Sequence, residues 1–194
     1  TSVADLHKLS SKQRSDSLIG WQHFSNFLGP KEAIATYRIR RRLLSKIKQF
    51  EKLANDASIQ GFRHGPYDLN RCMLPEMLHC LRRATWYISM TLAVAPNILE
   101  HETPELVIVA YEHGTFQRAL IIEASKRGIP TVALQHGRIY SAYPDYAFGA
   151  ISAKIEKGKF KIADRTCVYN EEAASILVKD FRFPRENVTV TGNW

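Results

Sequence analysis

Cysteine is scarce: Cys72, Cys80 and Cys167 are the only three, and no two form a C-x-x-C pair. An odd number without metal-ligand spacing argues against a disulfide framework and against a zinc site. It fits a reducing, cytoplasmic setting. Long apolar runs are missing as well. The longest, WYISMTLAVAP at 86–96, is too short to span a bilayer. The opening TSVADLHKLSS has no n-region and no signal-like h-region, and reads as cut from something longer. There is no G-x-x-x-x-G-K-[ST] and no G-x-G-x-x-G, so neither a Walker loop nor a dinucleotide fingerprint is supported. A G-x-S-x-G nucleophile elbow and an H-E-x-x-H zinc motif are also lacking. Internal repeats and low-complexity tracts do not occur.

What is present is an ordinary globular balance, 45% hydrophobic and 24% charged, in a chain of 194 residues. The net charge of +8 is unevenly spread. Residues 1–100 carry 15 Lys and Arg against 8 Asp and Glu, and residues 101–194 carry 12 against 11. The basic half therefore favours acidic partners: phosphorylated substrates, anionic lipid or nucleic acid.

That half reads as helix. In EAIATYRIRRRLLSKIKQFEKLAND, Ile39, Leu43, Ile47, Phe50 and Ala54 fall on one face, with Arg40, Arg41, Lys48 and Lys52 opposite. Gly29-Pro30 marks the start and Asn55-Asp56 the end. An earlier helix is expected over about 11–27, GFRHGPYDLN at 61–70 as a loop, and a long helix from LPEM to Pro96, with Pro75 in its first turn. The segment YRIRRRLLSKIK at 37–48 suits either a solvated helix face or an anionic surface. No RNP-like or helix-turn-helix signature supports specific nucleic-acid binding.

From Thr103-Pro104 the pattern changes. ELVIVA, IPTVALQ, RTCVY at 165–169 and NVTVTG at 187–192 read as strands. TFQRALIIEASKRG and EEAASILVKD read as helices, the first stopped by Gly128 and the second capped by Asn170. The fold class expected is α/β: a Rossmann-like parallel sheet of about four strands in the C-terminal half, with a mostly helical N-terminal half. Residues 1–102 would be the helical region and 103–194 the α/β half-domain.

Parallel strands joined by right-handed crossovers end on one edge, where ligands of such sheets bind. Three strand ends reach that edge: Tyr-Glu-His-Gly-Thr at 111–115, Gln-His-Gly-Arg-Ile-Tyr at 135–140, and Tyr169-Asn170. Two His-Gly pairs after neighbouring strands are the most informative feature. His113 and His136 can act as base or hydrogen-bond donor near neutral pH, and Glu112 can orient or polarise an imidazole. Gly114 and Gly137 allow close approach of a ligand. Arg138 can pair with a phosphate or carboxylate, although a surface ion pair would use it equally well. Thr115, Gln135, Tyr140 and Asn170 complete the candidate binding set. A polar residue after a strand often only caps the next helix; two such pairs on one edge, beside an acid and an arginine, favour a site. His7, His23, His64, His79 and His101 are scattered and read as surface or core.

The run PELVIVAYEHGTFQRALIIEASKRGIPTVALQHG resembles the N-terminal domain of GT-B glycosyltransferases, in particular surface-polysaccharide enzymes and the CDP-glycerol glycerophosphotransferase-like group. Downstream, IADRTCVYNEEAASILVKDFRFPRENVTVTGN resembles the closing segment of the same domain, so the likeness covers about 104–194. The resemblance implies an acceptor-side domain and a donor-binding C-terminal domain outside this chain. It implies transfer of a sugar or polyol-phosphate from a nucleotide-activated donor to a hydroxyl acceptor in surface glycan synthesis. It also implies no metal or cofactor. His136 matches the position of the base, and His113 and Glu112 would lie on the adjacent strand end. The family's V-T-G-N-P is VTGNW here. On this reading the isolated chain would be inactive, and the enzyme would be cytoplasmic, held at the inner membrane face by its basic helices. Two alternatives stand beside it: a sugar-nucleotide 2-epimerase-like enzyme, and a non-catalytic domain that binds anions or membranes.

Overall fold

The computed structural model describes residues 22–54, 63–64, 67–68, 70–143, 146 and 161–192. Most of the helix expected over 11–27, half of the 61–70 loop and the terminal Asn193-Trp194 lie outside the described residues. Of that early segment residues 22–27 are described, with Phe24–Phe27 as one 3-10 turn.

Helix α1 spans Pro30–Ala54. Pro30 suits a first helical position, where no N–H is needed. The Glu32 carboxylate accepts the Gly29 N–H at 2.8 Å, closing the N-terminus. A two-residue antiparallel pair, β1 (Arg63–His64) and β2 (Tyr67–Asp68), precedes helix α2, Asn70–Glu102. The helix is longer than expected at both ends, so Pro75 is not in its first turn and Pro96 does not end it. Proline removes one helical hydrogen bond, and burial makes good the loss. Ala93, Val94, Ala95 and Leu99 around Pro96 are all buried. The Pro96 carbonyl accepts from Arg127 Nη2 at 2.9 Å, and Asn97 Nδ2 donates to the Phe27 carbonyl at 2.8 Å.

The C-terminal half follows the expected order: β3 (Val107–Ala110), α3 (Thr115–Lys126), β4 (Thr131–Leu134), β5 (Arg165–Val168), α4 (Glu171–Lys179) and β6 (Val188–Val190). The four strands form one all-parallel sheet in the order β3-β4-β5-β6. Gly128, at φ 70°, ends the α3 connection in the left-handed region that favours glycine.

Register fixes the two faces of this sheet. Val109, Ala133, Thr166 and Val188 are successive partners and share one face. Both α3 and α4 cover it. Ile121 and Ala124 of α3 pack with Val107, Val109 and Ala133, while Ala173, Ala174 and Leu177 of α4 pack with Val168 and Val188. Leu99 joins the first cluster, which anchors α2 to the sheet half. Strands wound in sequential order put their crossover helices on one side. The opposite face carries Ile108, Val132 and Leu134, and Ile108 is 58% exposed there.

A polar clamp aligns the strand starts. Thr131 donates both its N–H and its hydroxyl to Asp164 Oδ2, each at 2.8 Å, and Thr131 Oγ1 accepts the Asp164 N–H at 3.0 Å. Arg165 Nη1 also donates to the Glu186 carbonyl, tying β5 to the approach of β6. Among the described residues, no helix is long and apolar enough to cross a membrane.

Candidate functional site

Strand β3 is followed by Tyr111, whose φ of 63° is unusual for an aromatic residue. Its N–H still donates to the Leu134 carbonyl at 3.3 Å, so the chain leaves the sheet only after this residue. The sharp exit directs the turn into α3, where the Gly114 N–H donates back to the Tyr111 carbonyl at 3.0 Å.

The Tyr111 ring stands between the two imidazoles. His136, from the end of β4, tilts against it with centroids 5.5 Å apart, and His113 meets it edge-on at 6.1 Å. Adjacent parallel strands thus bring both His-Gly turns to one rim. Their environments differ. His136 is exposed. His113 is half-buried, with its ring edge-on to Tyr146 at 4.3 Å. Tyr146 also contacts Phe181 and Phe183 beyond β5. Tyr140, Tyr143 and Tyr146 recur every third residue in the connection after β4 and meet in sequence, edge-on at 5.0 Å and tilted at 5.6 Å. Tyr140 is the exposed end of that row.

Glu112 is elsewhere. In the turn that follows Tyr111, its side chain faces inward, to 1% exposure. Its carboxylate accepts from the Ala163 N–H at 3.4 Å and the Thr166 hydroxyl at 3.3 Å. Burial raises its pKa above the ordinary 4.5, opposed by those two hydrogen bonds and by the charge of Arg118. Burial likewise lowers the pKa of Arg118, and Glu112 opposes that shift. The expectation that Glu112 orients an imidazole gives way to a different role, fastening the β3–α3 turn to the start of β5.

Gln135 is also used internally. Its backbone N–H donates to the Cys167 carbonyl at 2.9 Å. Its side chain donates through Nε2 to the Gly137 carbonyl and accepts the Tyr169 N–H at Oε1, both at 2.7 Å. It shapes the QHGR turn and holds the ends of β4 and β5 together, which leaves one amide N–H and one oxygen lone pair open at the rim. Asn170 caps α4, with Oδ1 accepting the Ala173 N–H at 2.9 Å.

The two glycines differ. The side-chain end of Gln117 fills the space beside Gly114, so close approach there requires Gln117 to swing away. Gly137 faces open space. Thr115 is the first residue of α3. Arg138 is exposed and lines a shallow pocket of about 330 Å³ with Gln135, Ile139, Tyr169, Asn170 and Glu172. Neither imidazole lines that pocket. Among the described residues, no group of three or more His, Cys, Asp or Glu side chains is placed to hold a metal ion.

The rim therefore offers one exposed imidazole on a strained tyrosine, a guanidinium two residues on, and an aromatic wall. Tyr111 and Tyr146 were not among the residues expected at the site. Tyr111 stands inside the first strand-end motif, but its backbone conformation is set by the tertiary fold. Tyr146 is marked only by the Tyr-x-x-Tyr-x-x-Tyr spacing. No family model, curated protein or solved structure matches this chain.

Proposed function

We propose that the sheet half is the acceptor-side domain of a GT-B-type transferase, moving a sugar or polyol-phosphate from a nucleotide-activated donor to a hydroxyl. The observation that carries this reading is the exposed His136 held against Tyr111 at the C-terminal rim of a parallel sheet. A neutral imidazole takes the acceptor's hydroxyl proton as the oxygen attacks the donor, and the nucleotide leaves with the electron pair of the broken bond. His113, wedged between Tyr111 and Tyr146, positions the aromatic wall. Arg138 pairs with an anionic group of the substrate. A second α/β domain facing the rim would hold the donor, and no cofactor takes part. The reaction would be cytoplasmic, at the inner membrane face.

The test is donor turnover by the full-length protein with and without a hydroxyl acceptor. Nucleotide release that depends on acceptor supports transfer, and conversion of the nucleotide sugar without acceptor supports an epimerase. His136→Ala is expected to lower kcat by about 10²–10⁴. A rate within a few-fold of wild type removes His136 from the base role.

A further inference from the structure

The solvent side of α1 carries seven exposed cations: Lys31, Arg38, Arg41, Arg42, Lys46, Lys48 and Lys52. The two acids of the helix, Glu32 and Glu51, are half-buried, and each is engaged, by the Gly29 N–H and by Arg82. This side therefore carries positive charge without an exposed carboxylate.

Apolar groups lie along the same side. Ile34, Tyr37, Arg41, Ser45, Lys48 and Lys52 are all exposed and recur at spacings of three, four, four, three and four. They form one stripe roughly 27 Å long. Tyr37 is 58% and Ile34 55% exposed. On the neighbouring helix Trp86 is 55% exposed, with the Arg40 guanidinium 5.6 Å from its ring centre.

We infer that this side of α1, together with Trp86, docks flat on an anionic lipid surface. Cations are drawn to anionic headgroups. Tyrosine and tryptophan settle at the boundary between headgroup and hydrocarbon, where an aliphatic side chain also gains from leaving water. Exposed Ile34 distinguishes this surface from one built for nucleic acid, where an aliphatic side chain on the backbone-tracking face gains little. Nothing in this docking requires the sheet rim to be catalytic.

Co-sedimentation of the whole chain with vesicles tests it. Binding is expected to mixed phosphatidylcholine–phosphatidylserine vesicles and not to phosphatidylcholine alone, and to weaken with salt. One cation at such a surface is worth about fivefold in partition. The triple variant Arg38→Gln/Arg41→Gln/Lys48→Gln should therefore bind about 10²-fold more weakly. The pair Lys179→Gln/Arg182→Gln, in the sheet half, should change partition by less than the triple variant does. The substituted side chains are exposed, and an unchanged thermal midpoint verifies that each variant is folded. With Trp21→Phe and Trp194→Phe in place, Trp86 emission should shift to the blue on anionic vesicles and be quenched by brominated lipid. Equal binding to both vesicles, an unaffected triple variant, or unshifted Trp86 emission overturns the inference. Tighter binding of a single-stranded oligonucleotide than of anionic vesicles, lost in the same triple variant, reassigns the surface to nucleic acid.

Discussion

Helix α1 has 25 residues and only one fully buried side chain, Thr36, whereas α4 has nine residues and buries three, Ala173, Ala174 and Leu177. The two helices show that length and burial are separate quantities. In α4, short apolar side chains seat the helix closely on β5 and β6. In α1, Ile39, Leu43 and Ile47 are half-buried against α2, and the remaining surface is left to solvent. The sheet half thus gains its stability from enclosed apolar contacts. The α1–α2 pair rests on a long but less enclosed seam, joined by exposed polar contacts such as Arg82–Glu51 at 2.7 Å. Exposed pairs of this kind contribute about 0–1 kcal/mol.

The contrast can be broken or sharpened by substitution. The largest effect is expected at Leu177, which is fully enclosed. Leu177→Ala should cost about 2–5 kcal/mol in urea unfolding, while Ile34→Ala on α1 should stay within about 0.5 kcal/mol. Similar costs at the two positions would show that the α1 side is packed in solution. Next comes Gln135→Leu, which removes both amide hydrogen bonds and leaves the Tyr169 N–H without its acceptor. A loss of about 1–3 kcal/mol is expected. A loss below about 0.3 kcal/mol would show that the Gln135 amide does not tie the two strands together.

The last effect is the pH dependence of Glu112. Its folded pKa is raised, so the folded chain holds the proton more firmly than the unfolded chain does. Stability should fall as pH rises from the ordinary value of 4.5 to the raised folded value, and level off above it. Glu112→Gln should remove that segment of the curve. Parallel stability–pH curves for the two proteins would mean that the raised pKa does not contribute.

Much of the sheet was legible in the sequence. Short β-branched runs, a glycine stop after α3 and an asparagine cap before α4 are local signals, and each element forms where they stand. The long helix was legible in kind but not in extent. Pro96 reads as a terminator, and the burial of Ala93, Val94 and Leu99, with the tertiary hydrogen bonds at Pro96 and Asn97, supports the helix past it. Arg40 shows a related gap. Helical spacing assigns it to the solvent side with Arg41, but its long stem lets the guanidinium reach Trp86 on α2. At the rim, the two His-Gly turns could be read as neighbours, because parallel strands of adjacent rank end together. The inward turn of Glu112 and the spending of the Gln135 amide could not.

By itself the sequence determined the order of helices and strands in the sheet half, the uneven distribution of charge and the presence of two imidazoles after neighbouring strands. These follow from periodicity, from punctuation by glycine and proline, and from counting charges. Tertiary structure alone decided which polar groups remain available. Glu112 meets Ala163 and Thr166 about fifty residues away in the chain, Gln135 meets Tyr169, and His113 meets Tyr146. A side chain's solvation and hydrogen bonds depend on the groups that folding brings to it, and the spacing of its neighbours along the chain does not encode them.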